Sequence, residues 1–202
     1  MRHDGLASFL GKQSCWGCKS ENGCWKCMDC ADGGLLRCQT CIVDSHACHP
    51  LHRLEVMYLS CDNFGNKSLI FSQRWNGHFF EKSSLYQAGL RIPLGHGGVK
   101  CPCTPSESSL FSIIDLSGIH QVAVDFCDCH ENGIVPRHVQ LLRAGWFPAT
   151  FNRPKTAFTF CCLDFYHELT LQGKVNAYDF CRTLLRITDN LDFKSTLVCI
   201  FP

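Results

Sequence analysis

The spacing of apolar residues changes along the chain. Val122, Val124 and Phe126 alternate with their neighbours, which predicts a strand with one face buried. Ile113 and Ile114 predict a shorter strand before it, with a turn at Ser117–Gly118. Further on the period becomes helical. Phe158, Cys161, Cys162, Phe165 and Leu169 fall at i, i+3, i+4, i+7 and i+11, with Thr156 placed to cap the helix. A second helix is predicted after Asn176, carrying Tyr178, Cys181, Leu184 and Leu185 on one face, with Gly173 separating the two. Residues 15–52 contain few large apolar side chains, and residues 56–74, with SCDNFGNKSL, read as a polar, turn-rich connector. The expected order is a cysteine/histidine module at 12–55, a connector at 56–74, an α+β domain at 75–190 ending in helices, and a tail at 191–202. No internal repeat or low-complexity tract appears.

Composition narrows the class. Of 202 residues, 46% are hydrophobic and 18% charged, with a net charge of +1. That supports a packed core and argues against a disordered chain, a highly basic nucleic-acid tail or an acidic solvating protein. No apolar run approaches the roughly 18 residues of a membrane span, and the opening MRHDGLASFL lacks the pattern of a secretory signal. The outlier is cysteine, with 17 residues. The odd count, the lack of an export signal and the recurrence of CxxC pairs followed by histidines favour metal ligation over a disulfide framework.

Residues 15–52 hold eight cysteines and three histidines. A unit this short and this poor in apolar side chains needs staples to fold. Structural zinc takes four thiolate or imidazole ligands in a tetrahedron, and one CxxC turn supplies two of them. The pairs here are Cys15/Cys18, Cys27/Cys30 and Cys38/Cys41, joined by His46 with His52 or His46 with His49. Four pairs suit two ions. In an interleaved arrangement Cys15, Cys18, Cys38 and Cys41 hold one, and Cys27, Cys30, His46 and His52 the other. Cys24 and Cys48 are left over, although Cys24 also forms a CxxC with Cys27. Such a cross-braced module would be B-box-like or treble-clef-like and architectural, since no set leaves an open coordination position. Between Cys15 and Glu55 four Lys/Arg face five Asp/Glu, and a four-thiolate zinc site adds further negative charge. A protein partner suits this module better than DNA phosphates do.

Other constellations follow. Cys101/Cys103 and Cys127/Cys129 form CxC pairs near His96, His120 and His130. The favoured third metal set is His96, Cys101, Cys127 and Cys129, with buried free thiols as the alternative. Residues 133–155 carry Arg137, Arg143, Arg153 and Lys155, with Trp146, Phe147 and Phe151 interleaved. Cations beside aromatics suit nucleic-acid contact, while WFPAT equally suits a packed corner. Asp115, Asp125, Asp164, Glu168 and Asp189 are read as scattered acids rather than a two-metal nuclease centre. Cys161–Cys162 reads as core, although His167 lies close enough in sequence to be considered as a base.

Several long motifs carry a resemblance. GLRIPLGH, GIHQVAVDFC, WFPATFNRPKTAFTF and KVNAYDF occur in that order, after WKCMDC and LRCQTCIVDSHACHPLH. From about Cys15 to Asn190 the chain resembles the cysteine-cluster domain that lies N-terminal to the catalytic region of fungal KDZ (Kyakuja–Dileera–Zisupton) transposases. The resemblance implies His52 rather than His49 as ligand, a nuclear setting, and a non-catalytic accessory role that contacts transposon DNA ends, protein partners or both. It also implies that the acidic catalytic triad belongs to an RNase H-like region beyond this chain. LDFKSTLVCIFP does not resemble family sequence, so a truncated or degenerate copy is expected. A free-standing zinc adaptor resembling B-box or ZZ modules is the alternative. No membrane or small-molecule partner is expected.

Overall fold

The computed structural model describes residues 14–21, 23–32, 34–61, 67–72, 74–75, 80–81, 83–102, 108–129 and 135–188, with backbone alone over 57–81. The 191–202 tail, Asp189, Cys103 and His130 lie outside the described residues. The chain divides into two compact units, residues 1–90 and 91–202, and the architecture is mixed α+β. No described helix is long and apolar enough to cross a membrane.

In the first unit, strand β1 (Trp25–Cys27) is followed by helix α1 (Gln39–Ser45), strand β2 (Arg53–Cys61), strand β3 (Lys67–Ser72), the short pair β4 (Arg74–Trp75) and β5 (Phe80–Glu81), and strand β6 (Ser83–Ser84). β2 is the spine of a sheet. It pairs antiparallel with β1, with β3 from Val56↔Ser72 to Cys61↔Lys67, and with β6. The residues read as a connector, 56–74, therefore carry most of β2 and all of β3. VMYL is a short apolar run with Val and Tyr, as a strand favours, and the polar stretch after it had masked that signal. The division between units falls at Leu90/Arg91, whereas sequence reading started the second domain at Trp75.

The second unit holds strands β7 (Arg91–Pro93), β8 (Ser109–Asp115), β9 (Gly118–Asp125), β10 (Trp146–Pro148) and β11 (Thr156–Thr159). Helix α2 (Arg137–Arg143) lies between β9 and β10, and α3 (Phe160–Gly173) and α4 (Ala177–Thr188) close it. The sheet order is β10-β11-β8-β9-β7. β8 and β9 form the predicted hairpin, turning at Leu116–Ser117 into Gly118, whose φ of +130° suits glycine. Val122, Ala123, Val124 and Asp125 are all buried, so β9 is covered on both faces rather than half-buried.

The helix predicted from Phe158 begins later. Thr156 opens β11, which pairs in parallel with β8 at Thr156↔Ser112, and ladder bonding wins over the helical period there. Thr159 caps α3, its Oγ1 accepting from the Cys162 amide at 3.2 Å. The packed stripe is Cys162, Tyr166 and Leu169, against Ile114, Phe180, Cys181 and Leu184. Cys161 and Phe165 are exposed. α4 starts where expected, Asn176 Oδ1 accepting from the Asp179 amide at 2.8 Å. Tyr178 faces solvent and Phe180 takes the buried position. Gly173 is the last residue of α3, and Lys174 makes the left-handed exit at φ 52°.

Candidate metal centres

The pairing of β1 with β2 sets Cys27 opposite Leu54, next to the point where His52 enters the strand. Helix α1 links two clusters. Cys38 and Cys41 lie at its start, and His46 is its C-terminal cap. The interleaving expected from the sequence is thus a consequence of one short helix and one strand pair.

In the first cluster Cys15, Cys18, Cys38 and Cys41 place their Sγ atoms within 4.8 Å of one another. Cys18 and Cys38 Sγ are 3.7 Å apart, against about 3.8 Å for two thiolates sharing one tetrahedral zinc. A disulfide would need about 2 Å, and these cysteines are free thiols. Gly17 eases this packing, because a Cβ there would sit 3.0 Å from Cys41 Sγ, a tight contact. Burial pushes the Cys15 thiol up, but hydrogen bonds from the Cys18 and Cys38 backbone outweigh it and hold it at about 6. Cys41 is pushed up to about 12 by hydrogen bonding to the Cys38 and Cys15 thiols. Four thiols this close cannot all lose protons unless a cation offsets their charge.

In the second cluster Cys27, Cys30, His46 and His52 meet the same criterion. Cys30 Sγ lies 3.3 Å from His46 Nε2 and 3.5 Å from His52 Nδ1, and Cys27 Sγ lies 3.5 Å from His52 Nδ1. His46 is fully buried, and its Nδ1–H donates to the Ile42 carbonyl at 2.8 Å. That bond fixes the tautomer and leaves the Nε2 lone pair aimed at the thiols. Burial holds both imidazoles below the ordinary histidine range, which keeps them neutral and able to ligate. His49 stacks on His52 at 4.9 Å between ring centroids and stays outside the donor set. Cys24 and Cys48 join neither cluster. An ion pair fastens the site. Asp29, inside the CMDC turn, accepts from the Arg53 amide at 2.7 Å and from its guanidinium.

The third cluster, His96, Cys101, Cys127 and Cys129, lies in the second unit. β7 runs parallel to β9 with Pro93 opposite Asp125, so both strands end at the same edge and their continuations converge. His96 Nε2 is 3.3 Å from both Cys127 and Cys129 Sγ, and Cys101 Sγ is 3.5 and 3.2 Å from theirs. Gly95 permits the approach, since a Cβ there would sit 2.5 Å from Cys127 Cβ. Arg91 grips the buried Asp125 through Nη2 at 2.7 Å. The sequence reading passed over Gln140. This buried side chain accepts from the Cys127 amide at 2.8 Å and donates to the Cys127 carbonyl at 2.9 Å and the Val135 carbonyl at 2.8 Å. It locks the CxC backbone to α2. Its only sequence signal was a polar residue in the apolar run VQLL.

The acids considered for catalysis have structural duties. Asp125 is the partner of Arg91. Asp115 accepts from Thr159 Oγ1 at 2.7 Å and from the Ser117 hydroxyl at 2.6 Å, closing the hairpin turn. Burial raises its pKa, but these bonds outweigh that and hold the carboxyl below its usual range. Because the Ser117 proton goes to Asp115, His120, 2.9 Å from that hydroxyl, serves it as a donor rather than a base. Asp164 and Glu168 are exposed on α3. Of the nucleic-acid candidates, Arg137, Arg143, Arg153 and Lys155 are exposed, whereas Trp146 is only 7% exposed and belongs to the core of the β10 corner.

Fold and donor sets together define an α+β protein built around cysteine/histidine clusters suited to metal ions. The family model of the CxC2-like cysteine cluster associated with KDZ transposases matches residues 85–192, just over half of the chain. The chain belongs to that family. The matched region contains the third cluster, and the first two precede it, although the resemblance read from the sequence began at Cys15. The family is an accessory cysteine cluster rather than a catalytic domain. No curated protein matches the chain. No solved structure matches it.

Proposed function

We propose that this protein is a zinc-loaded, non-catalytic region that works alongside a KDZ-type transposase in the nucleus of a fungal cell. Its cysteine/histidine clusters hold three zinc ions, and it contacts DNA through the second unit and protein partners through the first. The observation that carries this reading is the preassembly of three four-donor sets, two of mixed sulfur and nitrogen and one all-sulfur. Soft donors in closed sets of four suit tetrahedral zinc and leave no position for a reacting water. When bound, zinc supplies cross-links rather than chemistry. The residues themselves orient its ligands, as His46 does through Ile42 and Cys127 through Gln140.

A second reading, a zinc-dependent protein-interaction adaptor, draws support from the first unit. Its two clusters lie outside the family match, and its acids outnumber its Lys/Arg over residues 15–55.

Native mass spectrometry should find three zinc ions per chain, and one or none would refute the ligand scheme. Gel shifts with DNA should weaken steeply as salt rises. No binding at low salt would leave the adaptor reading standing.

A further inference from the structure

In the second unit an open concavity of about 520 Å³ lies between the start of β8, the first turn of α2 and the β10–β11 loop. Arg137, His138, Arg153 and Lys155 line it together with Phe151, and among the described residues no Asp or Glu does. Arg137, Arg153 and Lys155 take no part in an ion pair among the described residues. Three cations gathered with no described carboxylate among them repel one another, and an anion is what relieves that.

The aromatic element distinguishes which anion. Phe151 is 61% exposed, yet its ring is held from two sides. His138 meets it edge-on at 5.4 Å and Phe147 at 6.3 Å. A large apolar ring held in place at the rim of a cationic hollow forgoes burial and offers a flat face. Leu110, on the same wall, is 54% exposed. The loop that carries Phe151 is anchored. Ala149 N donates to the Thr156 carbonyl at 2.9 Å and Ser112 N to the Lys155 carbonyl at 3.0 Å, and Pro154 is buried. Between these anchors Arg153 occupies a left-handed backbone at φ 54°. A non-glycine side chain there is uncommon. On the other wall, the Arg137 guanidinium sits 5.0 Å over the Phe126 ring. The cations and the ring are therefore presented by fixed backbone rather than by a loose surface.

We propose that this concavity binds single-stranded nucleic acid, with an unpaired base stacked on Phe151 and flanking phosphates paired with Arg137, Arg153 and Lys155. A bare phosphate would use the cations and leave the ring idle. A duplex would offer phosphates and hide the base faces. An unpaired nucleotide uses both, and the volume suits one nucleotide. This deepens the DNA-contact reading above and rests on it.

The test is fluorescence polarisation of the metal-loaded full chain with labelled oligo-dT and with a duplex of the same length, over a salt series. Single strands should bind more tightly than duplex. Three neutralised phosphates should give a log–log salt slope of about −2. Phe151→Ala should weaken single-strand binding roughly ten-fold without changing that slope. Arg153→Asn, which tolerates the left-handed backbone, and Lys155→Gln should each flatten the slope by about 0.7. Equal affinity for both forms, with Phe151→Ala unaffected, would overturn the pocket and leave DNA contact intact. Tighter binding of a phosphopeptide than of oligo-dT would overturn it in favour of a protein ligand. No binding of any DNA would overturn this site and the DNA-contact reading together.

Discussion

Among the described residues of the first unit, the groups most fully withdrawn from solvent include Cys15, Cys27 and His46, with Ile42, Leu54 and Leu85 beside them. In the second unit they include Phe111, Ile113, Ile114, Val124, Leu141, Ala157 and Cys162, with Cys101 the one deeply buried donor of its cluster. Over residues 14–56 the first unit has put ligand atoms among its buried hydrocarbon side chains. The second has a five-stranded sheet with buried side chains on both faces, and its cluster ties two strand ends together at one edge. Metal removal should therefore act on the first unit as loss of the core and on the second as loss of a local staple. A short chain segment with few large apolar residues cannot offset its conformational entropy by burial alone.

The contrast can be broken in order of expected effect. Cys27→Ser should remove one ion per chain and unfold β1 and α1. Structural zinc in small domains contributes on the order of 10 kcal/mol, more than such a unit has to lose. Native mass spectrometry gives the ion count, and hydrogen exchange over Trp25–Cys27 gives the unfolding. Phe111→Ala, which removes a fully buried ring packed edge-on with Phe126 at 6.3 Å, should cost about 3–5 kcal/mol in the second unit. The urea midpoint should fall while the ion count stays the same. Gly95→Ala drives a methyl into Cys127 without any left-handed backbone strain. It should lower metal affinity at the third cluster alone, roughly ten- to hundred-fold, as read by competition with a chromophoric chelator. Asp115→Asn should cost about 1–2 kcal/mol near neutral pH by weakening the hairpin bonds. Because that carboxyl is held below its usual range, its contribution is present above the unfolded value, roughly pH 4. The gap between wild type and variant should shrink as pH falls through the folded value.

The clusters were more legible in the sequence than the fold around them. CxxC spacing is a local constraint, since two donors from one turn need only a few residues, and so Cys15 through Cys41 could be paired on paper. The third set was harder, because Cys101 and Cys127 meet only through the parallel pairing of β7 with β9. The choice between His52 and His49 as the partner of His46 was left open by spacing, and it turns on which ring reaches the thiols: His52 Nδ1 lies 3.5 Å from Cys27 and Cys30 Sγ. The β11–α3 boundary was misplaced because Phe158, Cys161 and Cys162 suit a helix locally, while Thr156–Phe158 are claimed by a strand more than forty residues earlier. β2 and β3 were missed because the polar stretch SCDNFGNKS between VMYL and LIF read as a connector. Gln140 and Asp29 were invisible for a related reason. Both act on backbone amides, and neither stands at a position that a ligand motif fixes.

The most direct test follows hydrogen exchange along the whole chain before and after thorough chelation under reducing conditions. If metal ions stand in for hydrocarbon over residues 14–56 of the first unit, amides of Trp25–Cys27, Gln39–Ser45 and the start of β2 lose protection, while those of Phe111–Ile114 and Val122–Val124 keep most of theirs. Retained protection across β1 and α1 with every ion removed would contradict the account.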